Sequence, residues 1–184
     1  MKERFSMQKE FTASLKLTKA NLLSPLLRAL SSISKALFGR IDFSKKASQV
    51  ILDARQEASN REHDTIRLEH ILLSLLKSEH SPTIEILQNL ESDVKSLQQQ
   101  TETETNKLPQ RHEITNLPFS RQAEQAMKAA TRIAKDFRTK AIEPEHIRLA
   151  ILKTDKAALR SIFRRFNITY ERCCEQLKRT SSIR

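Results

Sequence analysis

The stretch Ile66-Arg67-Leu68-Glu69-His70-Ile71-Leu72-Leu73-Ser74-Leu75-Leu76 returns as Ile142-Glu143-Pro144-Glu145-His146-Ile147-Arg148-Leu149-Ala150-Ile151-Leu152. Working outward at the same offset, with no gap, residues 43–98 lie over residues 119–174. Phe43 meets Phe119 and Ser44 meets Ser120, while Ala47, Ala54 and Ala58 meet Ala123, Ala130 and Ala134. Elsewhere one apolar residue replaces another, as at Leu87/Phe163, Leu90/Phe166 and Val94/Tyr170. A repeat this long is one structural unit used twice, so a site built on one copy has a potential twin on the other.

Each copy is predicted to hold four helices. In the first, Ser44 caps a helix to about Ser59, with Ala47, Val50, Ile51, Ala54 and Ala58 on one side. A second helix runs from about Leu68 to Ser78, a third opens at Ser81 and Pro82, and a fourth spans about Ser92 to Gln100. Residues 101–117 are polar, with alternating Thr and Glu before Pro109, and are expected to be a mobile linker. In the second copy Ser120 caps a helix to about Phe137, Pro144 starts the next, and two more follow to about Lys178. Its last helices carry Phe163, Phe166 and Tyr170, which either reshape the core or lie in a seam between copies. The expected layout is an extension over 1–41, repeats over 42–100 and 118–178 about the linker, and a tail over 179–184. With one glycine, no tryptophan and few breakers, the chain is predicted to be all-α.

That single glycine, Gly39, excludes both the glycine-rich phosphate cradle and the dinucleotide fingerprint, which need several glycines for close backbone approach. The chain is therefore not expected to hydrolyse nucleotides. The net charge of +11 is spread unevenly: +6 over residues 1–41, −4 over 42–107 and +9 over 108–184. Such a balance suits an acidic partner surface, anionic lipid or nucleic acid, and equally a merely solvated surface. Cys173 and Cys174 offer no disulfide framework, which fits a reduced intracellular setting. Cys173 falls where Leu97 stands, so it is expected to be a core thiol.

Between Ser24 and Gly39 the extension reads as a basic amphipathic helix, with Leu26, Leu30, Ile33 and Leu37 at helical spacing. These four residues are candidates for docking on this protein or on a partner. Contact with a lipid interface and a role as an organellar transit peptide are the other readings. No apolar run is long enough to cross a bilayer. The expected location is cytoplasmic, or an organellar matrix if residues 1–41 are a transit peptide.

The strings Phe43-Ser44-x-x-Ala47 and His63-x-x-Ile66-x-x-Glu69-His70-Ile71, with their echoes at Phe119, Ser120, Ala123 and Ile142, Glu145, His146, Ile147, resemble the Clp N-terminal domain. That module is the double repeat at the front of the Clp/Hsp100 unfoldases. The resemblance covers residues 42 to about 178. It implies an all-helical fold of two four-helix repeats related by a pseudo-twofold, and a docking role for substrates or adaptors. Without the ATP-hydrolysing modules, the chain resembles a stand-alone accessory protein. It departs from the pattern where the family usually places Gly before the first His and Gly-Thr before Glu-His. Those positions hold Glu62, Arg67 and Leu68 in copy one, and Arg138, Glu143 and Pro144 in copy two, and Thr139 replaces the first His.

In one branch of the family each copy binds phosphorylated arginine through the Glu of Glu-His and a hydroxyl at the start of the first helix. The matching residues are Glu69 with Ser44 and Glu145 with Ser120. A carboxylate can accept a guanidinium fork while hydroxyl and backbone donors hold the phosphoryl oxygens. The same residues also suit capping and the helix dipole. His70 and His146 have no H-E-x-x-H context, so packing or capping is expected rather than a metal. No cofactor and no catalytic residue is assigned. The expectation is a non-enzymatic module that binds Clp subunits, adaptors, substrates or phosphoarginine peptides. A basic helical nucleic-acid-binding protein is the alternative.

Overall fold

Helix starts and stops follow from the same local chemistry in both copies. The structure is a computed structural model and describes residues 41–78, 87, 93–110, 117–154 and 156–181. The first copy contains β1 (Asp42–Phe43), α1 (Lys45–Asn60), α2 (Leu68–Lys77) and α3 (Val94–Asn106). The second contains α4 (Arg121–Asp136), β2 (Ala141–Ile142), α5 (Pro144–Lys153), α6 (Ala157–Arg165) and α7 (Tyr170–Ser181). The leader helix with Leu26, Leu30, Ile33 and Leu37 lies outside the described residues, as does the helix predicted after Ser81 except for Leu87, which is helical and buried.

Ser44 Oγ accepts the Ala47 amide at 3.1 Å and Ser120 Oγ accepts the Ala123 amide at 3.3 Å, so both first helices begin on serine caps as the sequence predicts. Their C-termini also match. After α4 the Arg138 amide donates to Lys135 O and the Thr139 amide to Ala134 O, the two bonds of a Schellman motif. Glu62 and His63 close α1 in the same way, and Asn167 and Ile168 close α6. The motif demands a left-handed residue, and Glu62, Arg138 and Asn167 have φ of 56°, 54° and 52°. Glycine relieves that demand most readily, but only asparagine among these three is suited to it.

Side-chain burial explains the packing order. Ala47, Ala54, Ala58 and their mates Ala123, Ala130 and Ala134 are fully buried, and residues this small permit close helix approach. From Leu68 to Leu76 every residue of α2 is buried, so this helix forms the centre of the core. It packs on α1 and α3 and also meets α5, which packs on α4 and α7. Cys173 is fully buried, as a core thiol should be. Tyr170 belongs to its own copy, with Lys153 Nζ 4.3 Å from its ring centroid.

Backbone pairing stitches the copies together. β1 and β2 run parallel with Asp42 opposite Ala141 and Phe43 opposite Ile142, and a second parallel bridge joins Ile66 to Phe119. The repeat offset exchanges Phe43 with Phe119 and Ile142 with Ile66, so it converts one bridge into the other. That exchange is what a pseudo-twofold between copies requires. The fold is all-α, with this short parallel ladder added at the seam.

The chain departs from the predicted linker. Helix α3 continues through Asn106, with Thr101 and Thr105 fully buried. Thr101 Oγ1 donates to Leu97 O at 2.8 Å and Thr105 Oγ1 to Thr101 O at 2.7 Å. Each hydroxyl is satisfied within its own helix, so a threonine four residues from the next can occupy a buried face. The intervening Thr103 points to solvent, and the alternating pattern that suggested a linker is a two-faced helix end. Residues 111–116 lie outside the described residues.

Candidate functional site

The seam brings each predicted site serine to the segment that leads into the other copy's Glu-His helix. The Ser44 amide donates to Ile142 O at 3.0 Å, and its hydroxyl donates to Glu143 Oε2 at 2.7 Å. Ser44 of copy one therefore stands at the start of α5, bonded to Glu143, which precedes Glu145 by two residues in copy two. Reciprocally, the Ser120 amide donates to Ile66 O at 2.9 Å, which sets Ser120 beside the segment that leads into α2. The within-copy grouping of Ser44 with Glu69, and of Ser120 with Glu145, is not what these hydrogen bonds bring together. The offset relates equivalent residues but carries no information on which copy supplies the neighbour.

The two seam sites differ in their electrostatics. Glu69 is 1% exposed, and its Oε1 is ion-paired with Lys156, at the start of α6 in the other copy. Its Oε2 has no hydrogen-bond partner. Arg67, nearby, pairs with Asp64 at 3.2 Å. Around Ser44 the corresponding group is Glu143, a carboxylate where copy one has Arg67. Burial pushes the Glu145 carboxyl above its ordinary range and Glu143 adds to the rise, while Arg148 and Lys46 oppose it. Glu145 Oε2 is buried without a hydrogen-bond partner. Glu69 is thus held by a direct ion pair across the seam, while Glu145 has a second carboxylate, Glu143, and the cations Lys46 and Arg148 within electrostatic reach.

The histidines behind these sites complete the helix starts. His70 Nδ1 accepts the Arg67 amide at 2.9 Å and His146 Nδ1 accepts the Glu143 amide at 3.0 Å. Each acts as the residue-three partner of a capping box. With Nδ1 an acceptor, the His70 proton lies on Nε2, which donates to His63 Nδ1 at 2.7 Å. Burial drives His70 down to about 3 and His146 down to about 4, so both are neutral at ordinary pH. In copy two Thr139 replaces His63 and bonds backbone carbonyls instead, and Phe137 lies 5.9 Å from the His146 ring.

Two features escaped the sequence reading. Lys156 as the partner of Glu69 has no local signal, because the residues are far apart in sequence. Arg148 did leave one: it stands where copy one has Leu72, yet it is 1% exposed. Burial lowers its pKa, while Cys173 and Glu145 act in the opposite direction.

Residues 42–171 match the family model described as the Clp repeat (R) N-terminal domain. The chain belongs to that family. In the Clp repeat domain, then, the crossed serines and glutamates lie at the junction of the two repeats. A relative from Chlamydia pneumoniae, "Probable ATP-dependent Clp protease ATP-binding subunit", is 29% identical over 118 residues. The match spans 64% of this chain but 14% of that relative. The Hsp104 N-terminal domain from Candida albicans has 18% identity and a TM-score of 0.65, over 73% of this chain and 88% of that one. A ClpV N-domain solved in complex with a VipB peptide has 19% identity and a TM-score of 0.60, over 77% and 84%. Among the described residues no helix is long and apolar enough to cross a membrane.

Proposed function

We propose that this Clp repeat chain is a non-catalytic protein-docking module and serves a Clp chaperone–protease system as an accessory or regulatory factor. The observation that carries this reading is the paired repeat itself, over residues 42–171, in a chain whose one glycine cannot build a nucleotide-binding loop. A relative of the same fold was solved holding a partner's peptide, which supports docking as the use of the module. The test is an affinity pull-down with tagged protein from the source cell at two salt concentrations. Recovery of Clp subunits that persists at the higher salt supports the reading. Recovery of nucleic acid alone, falling steeply with salt, overturns it in favour of the nucleic-acid alternative.

Within that role Ser44, Glu69, Ser120 and Glu145 are the proposed ligand contacts. The Ser44–Glu145 site is better suited to an incoming guanidinium, because Glu69 already holds Lys156. Glu143 adds negative charge there, which favours a guanidinium and disfavours a phosphoryl group beside it. Peptides bearing arginine and phosphoarginine should be titrated against the wild type and Glu145→Ala. Tighter binding of either peptide by the wild type supports the site, and equal, weak binding by both proteins removes it.

A further inference from the structure

The first copy serves as an internal reference for a second site in the other copy. Lys77, at the end of α2, is held by Glu57 at 2.6 Å and Glu102 at 3.7 Å. Its mate Lys153 ends α5, and the positions equivalent to those two carboxylates hold Ile133 and Lys178. Lys153 therefore lacks both acidic partners. Its ammonium lies over Tyr170, which stands where copy one has Val94. Arg160 and Arg164 occupy the positions of Ile84 and Gln88. The loss of two carboxylates and the gain of Lys178, Arg160 and Arg164 have made this end of the second copy basic.

These side chains surround a cavity of about 460 Å³ between the end of α5, helix α6 and the start of α7. Lys153, Arg160 and Arg164 line it, and Glu171 is the one carboxylate among its lining residues. Neither Lys153 nor Arg164 is ion-paired among the described residues, and both are exposed. The volume falls within the ~300–1,000 Å³ in which proteins hold compact ligands.

We propose that this cavity binds carboxylate side chains of an acidic peptide segment from a partner protein. Charge-assisted hydrogen bonds from Arg164 and Lys153 would hold the carboxylates, with Lys153 preset by its position over Tyr170. A nucleic acid fits less well, because Lys153 already lies over a face of the Tyr170 ring and Phe163 is buried, leaving little aromatic surface for base stacking. The inference rests on the docking reading only in taking the partner to be a protein. Its site is separate from the serine–glutamate seam.

The test uses the full chain, a fluorescein-labelled hexaglutamate peptide, a hexaglutamine control and a single-stranded oligonucleotide of equal charge, read by anisotropy. Hexaglutamate should bind and hexaglutamine should not. Arg164→Glu should weaken binding at least about tenfold, the scale expected when a charge-assisted hydrogen bond gives way to repulsion. Arg165→Glu makes the same change in net charge on an exposed neighbour outside the cavity, and it should weaken binding less than about threefold. Arg164→Gln, with far-UV circular dichroism on every variant, guards against a folding defect. Equal weakening in both charge-reversal variants, or tighter binding of the oligonucleotide with the same mutational pattern, overturns the proposal. Should hexaglutamate fail while Clp subunits are still recovered in the pull-down, the cavity reading falls and the docking reading stands.

Discussion

Arg138→Gly should stabilise this protein, although it removes a charged side chain and adds chain flexibility. Arg138 is the left-handed residue of the motif that ends α4, at φ 54°, and its amide bonds Lys135 O. Holding that conformation costs a residue with a Cβ roughly 1–2 kcal/mol. Glycine avoids the clash, but its greater freedom in the unfolded chain returns about 0.5–1 kcal/mol. The net gain is about 0.5–1 kcal/mol, or a melting temperature higher by about 2–3 °C for a unit of this size. Glu62→Gly should give a similar gain, and the two should add, since they act at the ends of different helices. Asn167→Gly should gain only a few tenths of a kcal/mol, because asparagine tolerates the left-handed region. The assay is thermal unfolding followed by circular dichroism, with Arg138→Ala as the control. Alanine removes the same charge but keeps the Cβ, so it should give no gain. If alanine raises the melting temperature as much as glycine does, the effect is one of charge and the backbone reasoning is refuted.

Breaking the seam's ion pair with Lys156→Met should cost roughly 2–3 kcal/mol in denaturant unfolding. That is less than the ~3–5 of a fully buried pair, since the Lys156 side chain is 19% exposed. Adding Glu69→Gln should recover part of that stability, and additive single effects would show that the two groups are not coupled. Stability should also fall as pH drops from about 6.5 toward 4. His70 and His146 have folded pKa values below the unfolded one, so their contribution is fully present above pH 6.5 and shrinks as acid charges them in the unfolded chain. Each contributes a slope of up to about 1.4 kcal/mol per pH unit, and Glu145, shifted upward, works in the opposite sense. His146→Gln keeps a capping acceptor while removing the titration, and an unchanged pH slope in that variant would rule His146 out as a source. Amides of residues 101–106 should exchange slowly with solvent. Thr105→Val should change stability by less than about 0.5 kcal/mol, because the removed hydroxyl bonded only a carbonyl of its own helix. Exchange at random-coil rates would instead restore the linker.

Legibility in the sequence followed the range of the forces involved. The serine caps of α1 and α4 and the proline start of α5 are local, and they appear where spacing and residue type place them. The extension of α3 is local too, but its signal was ambiguous: threonine lowers helix propensity unless its hydroxyl bonds the preceding turn. The departure from glycine at Glu62 and Arg138 was visible as residue type, while its consequence, a positive φ retained without glycine, needed coordinates. Arg148 was visible only as a polar residue at a leucine position, and nothing in the string says that such a residue stays inside.

The amino-acid order by itself determined that one helical unit occurs twice, because burial periodicity, caps and breakers are properties of neighbouring residues and survive in each copy separately. Tertiary structure alone decided that each serine bonds the segment leading into the other copy's Glu-His helix, that Lys156 already occupies Glu69, and that Lys153, Arg160 and Arg164 share one cavity. Those outcomes depend on how two nearly identical units pack, and the side chains that meet across such a packing are distant in sequence.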